Sequence, residues 1–189
     1  MRVTVLGCGR WGSFHAWYAQ RVGHAVTLWG RSGSEHLAVL EKTRTNEFLT
    51  LPPEVHLTDD LVAALQTAEI VIISIHAQAL RAFLHDVCAQ GLMEELRTKR
   101  MILCMKGLEI GTGKRLTTVV KEELGADIQP VVWVGPGHVQ DFVRGIPNCM
   151  VLAGEERAVL HDLVEVLGSP LIRFYYGDDL LGTEVGAAA

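Results

Sequence analysis

Seven residues into the chain, Gly7-Cys8-Gly9-Arg10-Trp11-Gly12 sets three glycines at the spacing G-x-G-x-x-G, directly behind the apolar run Val3-Thr4-Val5-Leu6. With 19 glycines among 189 residues, that spacing arises by chance in roughly one such chain in five, so its surroundings decide its meaning. Trp11, Phe14, Tyr18 and Val22 follow at helical spacing, and Gly23 supplies a stop. Ala25-Val26-Thr27-Leu28-Trp29 then reads as a second strand. The unit is a strand–helix–strand of about 30 residues, the setting in which this motif binds dinucleotides. Gly7 allows the tight turn, Gly9 lets the main chain approach a diphosphate, and Gly12 lets helix and strand pack closely. The free amides and the positive dipole end of the helix suit an anion. A plain strand-to-helix turn with no ligand is the alternative.

The pattern then repeats. Ile70–Ile75, Met101–Met105, Pro130–Val134, Asn148–Leu152 and Leu171–Tyr175 are further strand candidates, with helices expected over Ala77–Ala89, Lys114–Leu124 and Glu155–Leu167. Strands apolar on nearly every residue are buried on both faces, as in a parallel sheet covered by helices. The expected class is α/β, a doubly wound and mostly parallel sheet over residues 1–189. Pro52-Pro53 marks a loop. Residues 178–189 start like a helix with Asp or Thr caps, and no stop signal follows. This tail is expected to be the start of a truncated linking helix.

Charge narrows the function. Seventeen basic and 22 acidic side chains give a formal net charge of -5, which argues against a general nucleic-acid binder. No apolar run reaches the 18 residues of a membrane span, and nothing resembles a secretory leader, so a cytoplasmic protein is expected. Cys8, Cys88, Cys104 and Cys149 are widely spaced, which fits reduced thiols. The eight histidines form no HxxxH or HxH pair, so no metal site is expected.

In a site of this kind the second strand ends in Asp or Glu when NAD is bound. Here it ends Leu28-Trp29-Gly30-Arg31-Ser32, with no acid before Glu35. Arg31 suits the 2′-phosphate of NADP, so NADP is favoured over NAD; a solvated loop arginine is the alternative. Ligands in such sheets sit outside the carboxyl ends of the strands. There Lys106-Gly107 follows one strand and Gly135-Pro136-Gly137-His138 another. A lysine so placed can meet a phosphate or polarise a carbonyl, although position alone equally fits a solvated lysine.

Taken together, these residues resemble the bacterial-type NAD(P)-dependent glycerol-3-phosphate dehydrogenases. The likeness runs through Gly7–Gly12, Leu28–Arg31, Arg44-Thr45-Asn46 with Phe48-Leu49, and Lys106-Gly107-Leu108-Glu109. It continues through Gly135-Pro136, Gly145-Ile146-Pro147, Asp179, Gly182, Glu184 and Gly186-Ala187. The resemblance implies a Rossmann-type cofactor domain and hydride exchange between C2 of sn-glycerol 3-phosphate and C4 of the nicotinamide. Dihydroxyacetone phosphate is the oxidised partner, and reduction supplies glycerol phosphate for phospholipids. It implies that Gly7, Gly9, Arg10, Trp11, Gly12, Arg31, Phe48, Lys106 and Val139 line the cofactor, and that Lys106, Gly135 and Gly137 meet the substrate. A homodimer of the full-length enzyme is also implied.

The chain departs from the family at several points. His76 replaces a proline, Gly137 a serine, Val139 an alanine and Asp141 a glutamate. Loss of the serine hydroxyl removes a substrate contact, and Val139 adds bulk beside the nicotinamide. The family's general base is a lysine expected just past Ala189, followed by a helical domain, so no catalytic residue is assigned within this chain. Removing the C2 hydroxyl proton needs a positioned base, so the isolated chain is expected to hold a nucleotide with little turnover. Two other readings stand beside this one: a non-catalytic dinucleotide-binding or redox-sensing module, and a ketopantoate- or hydroxyacid-type reductase.

Overall fold

Unbroken apolar runs form the inner strands and shorter or alternating ones the edges: β1 (Arg2–Leu6), β2 (Ala25–Trp29), β3 (His56–Thr58), β4 (Ile70–Ile73), β5 (Arg100–Leu103), β6 (Val131–Val134), β7 (Asn148–Ala153) and β8 (Ile172–Gly177). In the computed structural model, which describes residues 1–188, they join one sheet in the order β3-β2-β1-β4-β5-β6-β7-β8. The helices are α1 (Arg10–Arg21), α2 (Glu35–Thr43), α3 (Leu61–Gln66), α4 (Leu80–Ala89), α5 (Met93–Arg97), α6 (Leu116–Leu124), α7 (Val139–Val143), α8 (Arg157–Leu167) and α9 (Leu180–Ala188). Ala189, the last residue of the tail expected to be helical, lies outside the described residues.

Alternation along the strands divides the core in two. Val3, Val5, Ile70 and Ile72 pack with Phe14 and Tyr18 of α1, Leu37 and Leu40 of α2, and Leu160 and Leu163 of α8. Leu6, Val71, Ile73 and Leu103 pack on the other face with Leu65 of α3, Leu84 of α4 and Val120 of α6. Two covered faces explain why the inner strands carry apolar residues in unbroken runs.

The last two strands run against the other six. β7 runs antiparallel to β6, whereas β8 is parallel to β7. The connection from β6 to β7 contains the five-residue α7, and the chain enters β7 from the edge at which it left β6. The eleven-residue α8 spans about 16 Å and carries the chain back along the sheet to β8.

Element boundaries differ from the sequence reading in detail. The helix expected over 77–89 opens with a 3-10 turn at Ala77–Ala79, where His76 accepts from the Gln78 amide. α6 starts at Leu116 and α8 at Arg157. The short elements α2, β3, α3, α5 and α7 were not anticipated, although Ser34 and Asp60 cap α2 and α3 through their side chains.

Candidate dinucleotide site

Gly7 follows β1 with φ +112°, and a Cβ there would lie 2.3 Å from the Ser74 carbonyl oxygen. A Cβ at Gly12 would lie 1.7 Å from the Gly7 carbonyl oxygen. Both glycines are thus fixed by the protein's own packing, Gly7 also by its backbone. Gly9 is different. Its φ is -72° and ψ -167°, ordinary for any residue, and a Cβ there would meet nothing within 4 Å. The protein's own packing does not need a glycine at this position, and the main chain there is open to an incoming group. Gly9 is the N-cap of α1, no side chain caps the helix amides, and no acid stands in its first turn. The open donors and positive dipole end suit a diphosphate.

Around this turn three segments converge. Arg10 donates to Gln140 Oε1 of α7, and its guanidinium carbon lies 4.4 Å from the Phe48 ring centroid. Phe48 is presented by a tied loop. Asn46 Oδ1 accepts from the amides of Phe48 (2.9 Å) and Leu49 (3.0 Å), and Arg44 donates to the carbonyls of Pro52 and Val55. Arg44 takes φ 59° as the C-cap of α2, the turn that starts this loop. Trp11 packs edge-on against Phe14 at 5.5 Å, half-buried beside the opening. Arg10 and Trp11 belong to the fingerprint itself, and Phe48 is brought beside Arg10.

Lys106 and Gly135 leave the carboxyl ends of β5 and β6. The order β1-β4-β5-β6 and strand spacing of about 4.8 Å put these ends roughly 10 and 14 Å from Gly7. Lys106 is exposed, and the loop that carries it is anchored on both sides. Gln78 donates to the Leu108 carbonyl (2.8 Å) and accepts from the Ile110 amide (2.8 Å). Arg81 pairs with both oxygens of Glu109 and also with Glu122 and Glu123. The Arg81 and Thr112 hydrogen bonds hold the Glu109 carboxyl down at about 2. Glu109 thus serves as an anchor for the loop of Lys106.

The Gly135–Val139 segment is tightly packed. A Cβ at Gly137 would lie 2.2 Å from Phe142 Cζ, and one at Gly135 2.7 Å from Met150 Sδ. Phe142 stacks on Phe14 of α1 at 5.2 Å. The serine expected at position 137 by the resemblance has no room here, because the Phe142 ring occupies its place. Val139 has no exposed surface; its added bulk goes into the core rather than into an open cleft.

Arg31 is exposed after Trp29-Gly30, where Gly30 is forced by contact: a Cβ would lie 2.6 Å from Cys8 Sγ. Gln78 and Gln140 were not singled out by sequence reasoning, since each acts through a partner 30 or more residues away. Among the described residues no group of three or more His, Cys, Asp or Glu side chains could hold a metal ion, and no helix is long and apolar enough to cross a membrane.

Comparison with known proteins agrees with this geometry. Residues 2–160 match the family model described as NAD-dependent glycerol-3-phosphate dehydrogenase N-terminus. Among curated relatives, the glycerol-3-phosphate dehydrogenase [NAD(P)+] of Bradyrhizobium diazoefficiens is 36% identical over 190 residues, covering 99% of this chain and 56% of the relative. That of Chelativorans sp. is 33% identical over 190 residues, covering 98% and 56%. The crystal structure of glycerol-3-phosphate dehydrogenase from Coxiella burnetii superposes with a TM-score of 0.87 at 26% identity, over 98% of this chain and 56% of that one. The chain spans about half the length of the curated relatives it matches.

Proposed function

Given that this chain belongs to the NAD-dependent glycerol-3-phosphate dehydrogenase family, in its N-terminal part, we propose that it is the dinucleotide-binding unit of such an enzyme. Residues 1–189 are the Rossmann-type domain, within which α9 (Leu180–Ala188) starts the helix that links it to the rest. The observation that carries this reading is Gly9: a side-chain-free, uncapped helix start whose glycine nothing in the protein requires.

On this reading the cofactor diphosphate lies on the amides that open α1, with Gly7, Gly9 and Gly12 shaping the turn. Arg10, Trp11 and Phe48 flank it, and Arg31 faces the adenosine ribose, where its free guanidinium favours NADP over NAD. Val139, which the resemblance places at the nicotinamide end, is fully buried, whereas Lys106, at the carboxyl end of β5, would face that end. Bound there, the reduced nicotinamide supplies the hydride that converts the carbonyl of dihydroxyacetone phosphate to the C2 hydroxyl of glycerol 3-phosphate. Lys106 polarises that carbonyl or meets the substrate phosphate, with Gly135 beside it; Gly137, which the resemblance also assigns to the substrate, is buried against Phe142. The proton that completes the hydroxyl comes from the lysine that the resemblance puts just past Ala189. A cytoplasmic, homodimeric enzyme supplying phospholipid precursors belongs to the same reading.

Titration of the chain with NADPH and NADH, alone and as Arg31→Ala, tests it. Binding of NADPH with a several-fold preference over NADH that Arg31→Ala abolishes is the expected result. A preference that survives the substitution removes Arg31 from the site, and absence of binding to either nucleotide overturns the reading. Reduction of dihydroxyacetone phosphate by these 189 residues at the rate of an ordinary dehydrogenase would overturn the assignment of the base.

A further inference from the structure

We propose that Gln140, together with Phe48, is a positioning residue that holds the Arg10 guanidinium over the start of α1 without neutralising it, making Arg10 a preordered cation for the cofactor diphosphate. The proposal rests on the reading of that helix start as the diphosphate site. Arg10 is the first residue of α1, where a cation opposes the positive end of the helix dipole. Such a placement costs stability unless an anion is present at the same point. Four other arginines are tied by acids, Arg81 to Glu109, Arg97 to Asp127, Arg100 to Asp162 and Arg115 to Glu184, whereas the half-buried Arg44 spends its donors on the carbonyls of Pro52 and Val55.

Arg10 too is tied by neutral groups. Its Nη2 donates to the Gln140 amide oxygen, and the Phe48 ring lies against its guanidinium at 4.4 Å. An amide oxygen and an aromatic face orient a guanidinium while leaving its charge intact. Of its five N–H donors, those not used by Gln140 stay available to phosphate oxygens. Arg10 is otherwise an exposed, flexible side chain, and ordering it beforehand spares the entropy that binding would consume. Gln140 comes from α7, the helix that follows Gly135–His138, and Phe48 from the loop tied by Arg44 and Asn46. The clamp therefore reaches the fingerprint from two rigid supports.

The substitution that separates charge from position is Gln140→Glu, which keeps the reach and hydrogen bond but neutralises Arg10. NADPH affinity of the full 189-residue chain is measured at low and at high salt for wild type, Arg10→Ala, Gln140→Ala, Gln140→Glu and the two double variants. Arg10→Ala is expected to weaken binding about tenfold and Gln140→Ala about three- to fivefold. Gln140→Glu should approach Arg10→Ala and, like it, flatten the salt dependence, whereas Gln140→Ala should leave that dependence steep. In the Arg10→Ala background both changes at Gln140 should move affinity by less than about 1.5-fold. Unchanged affinity in Gln140→Ala and Gln140→Glu, or equal losses with and without Arg10, overturns the clamp. Gly9→Val, run alongside, separates the two failures. If it abolishes binding while the cycle shows no coupling, only the clamp falls; if it leaves binding intact, the diphosphate site falls with it.

Discussion

At the scale of single residues, the three fingerprint glycines have separate causes. Gly12 is held by contact, since a Cβ would lie 1.7 Å from the Gly7 carbonyl oxygen, and backbone has no rotamer with which to yield. Gly12→Ala should cost about 2–4 kcal/mol and lower Tm by roughly 6–12 °C, measurable by thermal unfolding without any ligand. His15 is a second residue whose environment sets its chemistry. It is buried between Phe14, Trp11 and Trp133, its Nδ1 has no hydrogen-bond partner, and burial pushes its pKa from 6.5 to about 3. Below pH 6.5 the unfolded chain binds a proton that the folded chain refuses. Stability should therefore fall as pH drops from 6.5 to about 3, at up to about 1.4 kcal/mol per pH unit. Urea unfolding at several pH values, compared with His15→Phe, isolates this contribution from that of the carboxylates. The wild-type loss should be steeper between pH 6 and 4, and parallel curves would count against the assignment.

Between elements, the joint of α9 with α6 is made by one buried acid. Glu184, 6% exposed, accepts from the Thr117 amide (3.0 Å), Thr117 Oγ1 (2.6 Å) and Arg115 Nη1 (2.9 Å). It caps the start of α6 from outside, where Arg115 offers no side-chain cap. Gln at 184 keeps one acceptor and presents two donors to groups that are themselves donors. Glu184→Gln should therefore cost about 2–3 kcal/mol, with amide exchange rising first in α9 and at the Thr117 amide. Uniform loss of protection across the sheet would instead show that α9 is not docked through this contact. Sequence reading marked Glu184 only through the family resemblance. Its partners lie 67 positions away, and no local pattern announces a cap supplied by another helix. The same distance hides Gln140, 130 positions from Arg10. The fingerprint was legible because its turn, its dipole and its glycines are all local. α7 was missed because five residues are too few for a helical period to show.

Across the whole molecule, the sheet order places four strand ends side by side, and they carry the segments of the proposed site: the fingerprint after β1, Lys106 after β5 and Gly135 after β6, with the end of β4 between them. Apolar strands set at regular intervals along the chain made this architecture readable in advance. They say nothing of how loops are tied, and the anchoring of Lys106 through Gln78 and Glu109 became visible only with the structure. Under the proposed function the main chain at Gly9 is kept bare for a dinucleotide and for no internal reason. The decisive measurement is Gly9→Val, with thermal unfolding and NADPH titration read on the same sample. A Tm within about 2 °C of wild type together with at least a hundredfold loss of NADPH affinity is expected. Unaltered NADPH affinity at that unaltered Tm would contradict it.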